Sequence, residues 1–155
     1  MGNYKFTKKW FERHIPRWEK TLDGLKKKNE KISVLEIGVF EGRAAVWVLD
    51  ELFKNPESKL ITIDTFKNIF VNNDYESTFR KNIKESGKEN QVEIIKKGIV
   101  LSWNLLKEGG IMILDNYEWD YFEEEFNNPR IAIDSFLKIY QGRIKNLIKD
   151  VRDHV

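Results

Sequence analysis

From residue 32 onward the chain alternates between short runs of apolar, β-branched residues and longer segments with apolar residues at helical spacing. No other feature narrows the possible folds as much, because repeated β–α units with near-continuous apolar strands require a parallel sheet covered by helices on both sides. Ile32-Ser33-Val34-Leu35-Glu36-Ile37 reads as a first strand, ended by Gly38. Arg43 to Phe53 carries Ala45, Leu49, Leu52 and Phe53 on one helical face and stops before Asn55-Pro56. Leu60-Ile61-Thr62-Ile63 is a second strand, closed by Asp64. Tyr75, Phe79 and Ile83 step by four, which predicts a helix over Asp74 to Ser86 with Gly87 just past its end. Val92-Glu93-Ile94-Ile95 is a third strand. A helix over Leu101 to Leu106 and the turn Gly109-Gly110 lead to a fourth, Ile111-Met112-Ile113-Leu114. Pro129 then opens a helix with Ala132, Phe136, Ile139 and Tyr140 on its apolar side. The expected architecture is a doubly wound, mostly parallel α/β sheet.

The segment before the alternation reads as helix. Phe11, Ile15, Trp18, Leu22 and Leu25 form one stripe, and Pro16 inside it predicts a kink or two short helices. Basic residues on the other faces allow a membrane-surface helix, but the reading adopted is a helix packed on its own domain with a solvated charged face. The expected organisation is residues 1–30 as this helical segment and residues 31–155 as the main domain.

At 155 residues the chain has room for one domain, and its 13% aromatic content argues against disorder. With no cysteine and only His14 and His154, thiolate chemistry and Cys- or His-rich metal sites are excluded. Basic residues exceed acidic ones by 27 − 25 = 2, which gives no support for a nucleic-acid partner. No apolar run approaches the roughly 20 residues that span a bilayer. The N-terminus lacks the apolar core of a secretory signal, and Phe6 breaks the myristoylation pattern. The expectation is a cytoplasmic protein without nucleic-acid or membrane partners, its oligomeric state open.

Ligands of such sheets sit at the carboxyl ends of the strands. There the first strand runs through Glu36-Ile37-Gly38-Val39-Phe40-Glu41-Gly42 into a helix. Gly38 allows a sharp turn with positive φ, and Gly42 lets the helix begin close to a ligand. Asp64 could accept both hydroxyls of a ribose. A dinucleotide fingerprint would need glycine where Glu36 stands, and Glu36 with Glu41 would repel a pyrophosphate but favour a cationic ligand. S-adenosylmethionine has that chemistry: a sulfonium, an ammonium, a ribose and no phosphate. A nicotinamide-type binding domain is disfavoured on the same grounds.

The turn resembles E/D-x-G-x-x-x-G, the first motif of class I S-adenosylmethionine-dependent methyltransferases. VLEIGVFEGRAAVWVLDEL, SKLITIDTF, YESTFRKNI, VEIIKKG, VLSWNLLKEGGIMILDNYEW and PRIAIDSFLKIY resemble, in order, the motifs of one subfamily of these enzymes with poorly defined substrates, over roughly residues 31–140. The resemblance implies a Rossmann-like methyltransferase fold and transfer of a methyl group to a small-molecule or sugar-like acceptor. By the same resemblance, Glu36 would hold the methionine ammonium, Gly38 and Gly42 would line the methionine and ribose, Asp64 would take the ribose hydroxyls, and Phe66 would lie near the adenine. Ala44 stands where relatives often carry a hydroxyl residue.

One departure bears on catalysis. At Lys97-Gly98-Ile99-Val100 the third strand runs straight toward the next helix, where the family places a further strand ending in an acidic loop. Either the chain has lost that strand, with Ile111–Leu114 moving beside the first, or residues of a longer protein are omitted between Gly98 and Ile99. Omission is the favoured reading, because losing a central strand would expose apolar surface and backbone groups on both neighbours. Asp115-Asn116 resembles the oxygen-ligand pair of metal-dependent catechol-type O-methyltransferases. The pair is the candidate catalytic site and a candidate ligand set for Mg²⁺ or Ca²⁺. The family's third ligand would come from the absent loop, and Asp115 and Asn116 could instead cap the following turn. The acidic, aromatic loop Tyr117 to Asn128 reads as a solvated loop, with an acceptor lid as the alternative. The competing function is a non-catalytic module that binds S-adenosylmethionine or S-adenosylhomocysteine, or a protein partner, after losing part of the active site.

Overall fold

A computed structural model describes residues 2–66, 74–96, 106–114, 117, 123–124 and 128–145. Its contacts divide the chain into two compact units, Met1–Leu105 and Leu106–Val155.

In the first unit a 3₁₀ turn at Glu12–His14 leads into α1 (Ile15–Lys26). Pro16 falls in the first turn of α1, where its missing N–H costs no helical bond, so the helix begins there instead of kinking. Then follow β1 (Ser33–Ile37), α2 (Arg43–Glu51), β2 (Lys59–Ile63), α3 (Tyr75–Glu85) and β3 (Val92–Ile95). The strands form one parallel sheet in the order β1-β2-β3. Their register brings Ile37, Ile63 and Ile95 level, so Gly38, Asp64 and Lys96 leave the sheet side by side. Both crossovers step the same way across the sheet. The right-handed rule for such connections therefore places α2 and α3 on one face, and the two helices are in contact. The reversal of strand order that defines a doubly wound sheet does not occur among the described residues.

The core is centred on α2. Ala45, Val46, Trp47, Val48 and Leu49 are all buried, so this helix is apolar all round rather than on one stripe. It packs with Leu60 of β2, Phe79 and Ile83 of α3, and Phe11 and Leu22 from the N-terminal segment. Edge-to-face aromatic contacts fix α1 against α2. Trp18 meets Phe11 at 4.8 Å and Trp47 at 5.4 Å between ring centroids, near perpendicular in both cases. Lys88 closes the other end of α2, its Nζ donating to the carbonyls of Leu49 and Phe53 at 2.5 and 2.9 Å. α2 ends at Glu51 rather than Phe53, but Leu52 and Phe53 remain buried. α3 begins where Asp74 caps the Ser77 N–H at 3.0 Å, and Gly87 follows it with φ of +69°.

In the second unit α4 (Pro129–Ile139) forms where the sequence predicts it. The expected strand at Ile111–Leu114 does not form. These residues are irregular, with Ile111, Ile113 and Leu114 between 43% and 46% exposed. An apolar run becomes a strand only when a neighbour accepts its backbone hydrogen bonds, and no such neighbour occurs among the described residues. The helix expected at Leu101 to Leu106 lies almost wholly outside the described residues, as does the Gly98–Ile99 junction.

Candidate functional site at the strand ends

Gly38 continues the sheet by one step, its N–H donating to the Ile63 carbonyl at 2.9 Å, and then turns with φ of +75°. Asp64 stands next to it and closes the turn. Its Oδ2 accepts the Val39 N–H at 2.8 Å and its Oδ1 accepts the Phe66 N–H at 2.7 Å. A third donor, the Tyr75 hydroxyl, reaches Oδ1 at 3.4 Å. The predicted hydroxyl-accepting carboxylate thus also shapes the loop around itself. Burial and the Asp64 charge together push the Tyr75 phenol up to about 12, which keeps it a donor.

Glu36 is the most unusual group of the site. It lies on β1 one residue before the strand end, and its Oε2 is shielded from solvent yet accepts no hydrogen bond among the described residues. Burial, with the nearby Asp64 charge adding to it, raises its carboxyl to about 8. A buried acceptor without a partner is costly unless something else supplies the donor.

Gly42 has φ of +80° and faces α3, where an added Cβ would lie 2.7 Å from Cδ2 of Phe79. Glycine is needed here for conformation and for space. Phe40 and Phe66 both adopt left-handed backbone, at φ +48° and +50°, a conformation that costs a bulky residue of order 1–3 kcal/mol and recurs at ligand sites. Their rings join a line of aromatic contacts at the strand ends: Trp10 on Phe40 at 5.1 Å, Phe40 on Tyr75 at 5.4 Å, Tyr75 on Phe66 at 5.8 Å and Phe66 on Phe79 at 5.7 Å.

Glu41 is placed differently from Glu36. It is buried, with both oxygens engaged by Thr7: Oε2 accepts the backbone N–H and Oε1 the hydroxyl, each at 2.7 Å. In this structure it anchors the N-terminal segment and does not open toward the turn. Asn82 of α3 completes the anchor. Its Oδ1 accepts from Lys5 N, and its Nδ2 donates to the carbonyls of Lys5 and Glu41, all at 2.9 Å.

The structure therefore brings Glu36, Gly38, Asp64 and Phe66 to one place, with Gly42 at its base. Asp115 and Asn116 lie outside the described residues, and no cluster of three metal-ligating side chains occurs among the residues described. Sequence reasoning missed Thr7, Trp10, Phe40, Tyr75 and Asn82 as parts of this region. Asn82 left a signal: it lies three residues after Phe79 and one before Ile83, a polar side chain amid the apolar positions of α3. Two surface hollows lie elsewhere. One, of about 320 Å³, is bounded by Gly2, Tyr4, Asp50, Glu51, Glu85, Ser86 and Lys88, at the opposite ends of α2 and α3.

No family model and no curated protein matches the chain. Among solved structures it is similar to a "putative O-methyltransferase" from Klebsiella pneumoniae, with a TM-score of 0.38 and 16% sequence identity over 59% of this chain and 36% of that one. The match thus spans little more than a third of that protein's length. The parallel sheet with its βαβ crossovers is of the Rossmann-like class on its own topology, and among the described residues no helix is long and apolar enough to cross a membrane.

Proposed function

We propose that the strand-end site binds S-adenosylmethionine and that the chain belongs to a methyltransferase acting on a small-molecule or sugar-like acceptor. The observation that carries the reading is Glu36 Oε2, a shielded carboxylate oxygen with no donor among the described residues, beside a glycine turn and a second carboxylate. A ligand ammonium is the donor that this oxygen lacks, and its positive charge would draw the Glu36 carboxyl into its ionised form beside Asp64, where a pyrophosphate would be repelled. Gly38 permits close approach of the ligand to the backbone. Asp64 would accept ribose hydroxyls with lone pairs that remain after its amide bonds. Phe66 would supply an apolar face for the base. When bound, the cofactor provides an electrophilic methyl group on its sulfonium. The chain's own contribution is then orientation and exclusion of water.

The test is calorimetric and thermal titration with S-adenosylhomocysteine, which keeps the ammonium and the ribose. At one hundred times its Kd the ligand should stabilise the chain by about 2.7 kcal/mol. Asp64→Ala and Asp64→Asn, each checked for an intact circular dichroism spectrum, should abolish or sharply weaken that effect. No stabilisation of the wild type, or full stabilisation of both variants, would reject the site. Turnover across a panel of hydroxylated acceptors separates an enzyme from a binding module.

A further inference from the structure

We propose that Trp10 is a positioning residue for this site, so that the N-terminal segment is a working part of it. The inference rests on the S-adenosylmethionine reading for its ligand and on the geometry of the turn for its argument. Beyond Gly38, which the sheet itself holds through the Ile63 carbonyl, the turn residues Val39, Phe40 and Glu41 are each held from outside. Asp64 takes the Val39 N–H, Thr7 and Asn82 take the carboxylate and carbonyl of Glu41, and Trp10 stacks on the ring of Phe40. Two of these four holders, Thr7 and Trp10, lie three residues apart in the N-terminal segment.

The Trp10 contact bears on the most strained member of the turn. Phe40 has left-handed backbone, and its ring lies between Trp10, at 5.1 Å with planes 30° apart, and Tyr75, at 5.4 Å and 33°. Tyr75 in turn donates to Asp64. A ring held on both sides cannot swing to relieve its backbone, so Trp10 fixes Phe40 and, through it, the amides of Val39 and Gly42. Trp10 itself is 54% exposed, far more than core packing requires. Phe11, its neighbour, is the residue that enters the core.

Because Trp10 is half in solvent, Trp10→Ala should fold with little loss of stability, and its effect should fall on the turn. Amide hydrogen exchange of the ligand-free protein should quicken about three- to tenfold at Val39 and Gly42, the range expected for losing one aromatic pair, while amides inside α2 keep wild-type rates. The Kd for S-adenosylhomocysteine should weaken by a similar factor, and Trp10→Phe should restore both readouts to within about 1.5-fold of wild type. Unchanged exchange at Val39 and Gly42 overturns the proposal, and so does faster exchange with an unchanged Kd. If wild type binds no S-adenosylhomocysteine, the functional reading fails, and the exchange measurement alone decides whether Trp10 holds the turn.

Discussion

Glu36 concentrates the chemistry of the molecule in one side chain. Its carboxyl is held near 8 against an ordinary value of 4.5, mainly by burial. Below about 4.5 the folded and unfolded chains both carry the proton; between 4.5 and 8 only the folded chain keeps it. Stability contributed by this group is therefore complete at low pH and is lost as pH rises through that window. Glu36→Gln removes the titration while keeping the shape. The Tm of E36Q minus that of wild type should lie near zero at pH 4.5 and grow more positive up to pH 8, as read by thermal denaturation across that range. A difference that stays flat would show that Glu36 ionises freely in the folded chain. The sequence made Glu36 visible as a carboxylate where a phosphate-binding turn would have glycine. It did not separate Glu36 from Glu41, five residues on. Only the fold shows that Oε2 of Glu36 has no donor among the described residues while Glu41 is engaged by Thr7.

At the level of elements, the strands and helices from β1 to β3 were legible to within a residue or two because their apolar periods are uninterrupted. Pro16, inside the stripe of α1, instead marks a helix start where the sequence alone suggests a kink or two short helices. Ile111–Leu114 has the same composition as those strands and still stays irregular, since a strand is a property of its neighbours as much as of itself. The stretch from residue 2 to 10 has no period at all, and its role rests on partners 30 to 82 residues away that no local pattern reveals. The junction of the glycine turn with α2 offers a sharp test of how elements are spaced. Gly42→Ala places a Cβ against Phe79 of α3 and forces alanine into left-handed backbone. The expected loss is about 2–4 kcal/mol, measured by urea denaturation. A loss under about 0.5 kcal/mol would mean that α2 and α3 can separate at no cost.

Across the whole molecule, every described residue that is buried and apolar lies between Phe11 and Ile83. Glu36, Gly38, Gly42, Asp64 and Phe66 fall within the same unit, Met1–Leu105. A chain ending at Leu105 should therefore fold cooperatively and retain the response to S-adenosylhomocysteine, read by amide dispersion in NMR and by thermal shift. Loss of cooperative unfolding in that fragment would show that the second unit completes the core. Asp115 and Asn116 belong to that second unit by sequence. The fragment thus divides the candidate cofactor site from the candidate catalytic pair, and methyl transfer would be lost where binding survives.

The clasp that Asn82 makes on Lys5 has an evolutionary corollary. The carboxamide reads the backbone N–H and carbonyl of residue 5 and none of its side chain. Position 5 is therefore free to drift in identity. In a saturation library scored for folding it should accept every residue except proline, which has no N–H to give. Position 82 should accept almost nothing but asparagine, since aspartate offers no donor and glutamine is one carbon too long. The two ends of a single contact would then carry opposite mutational records.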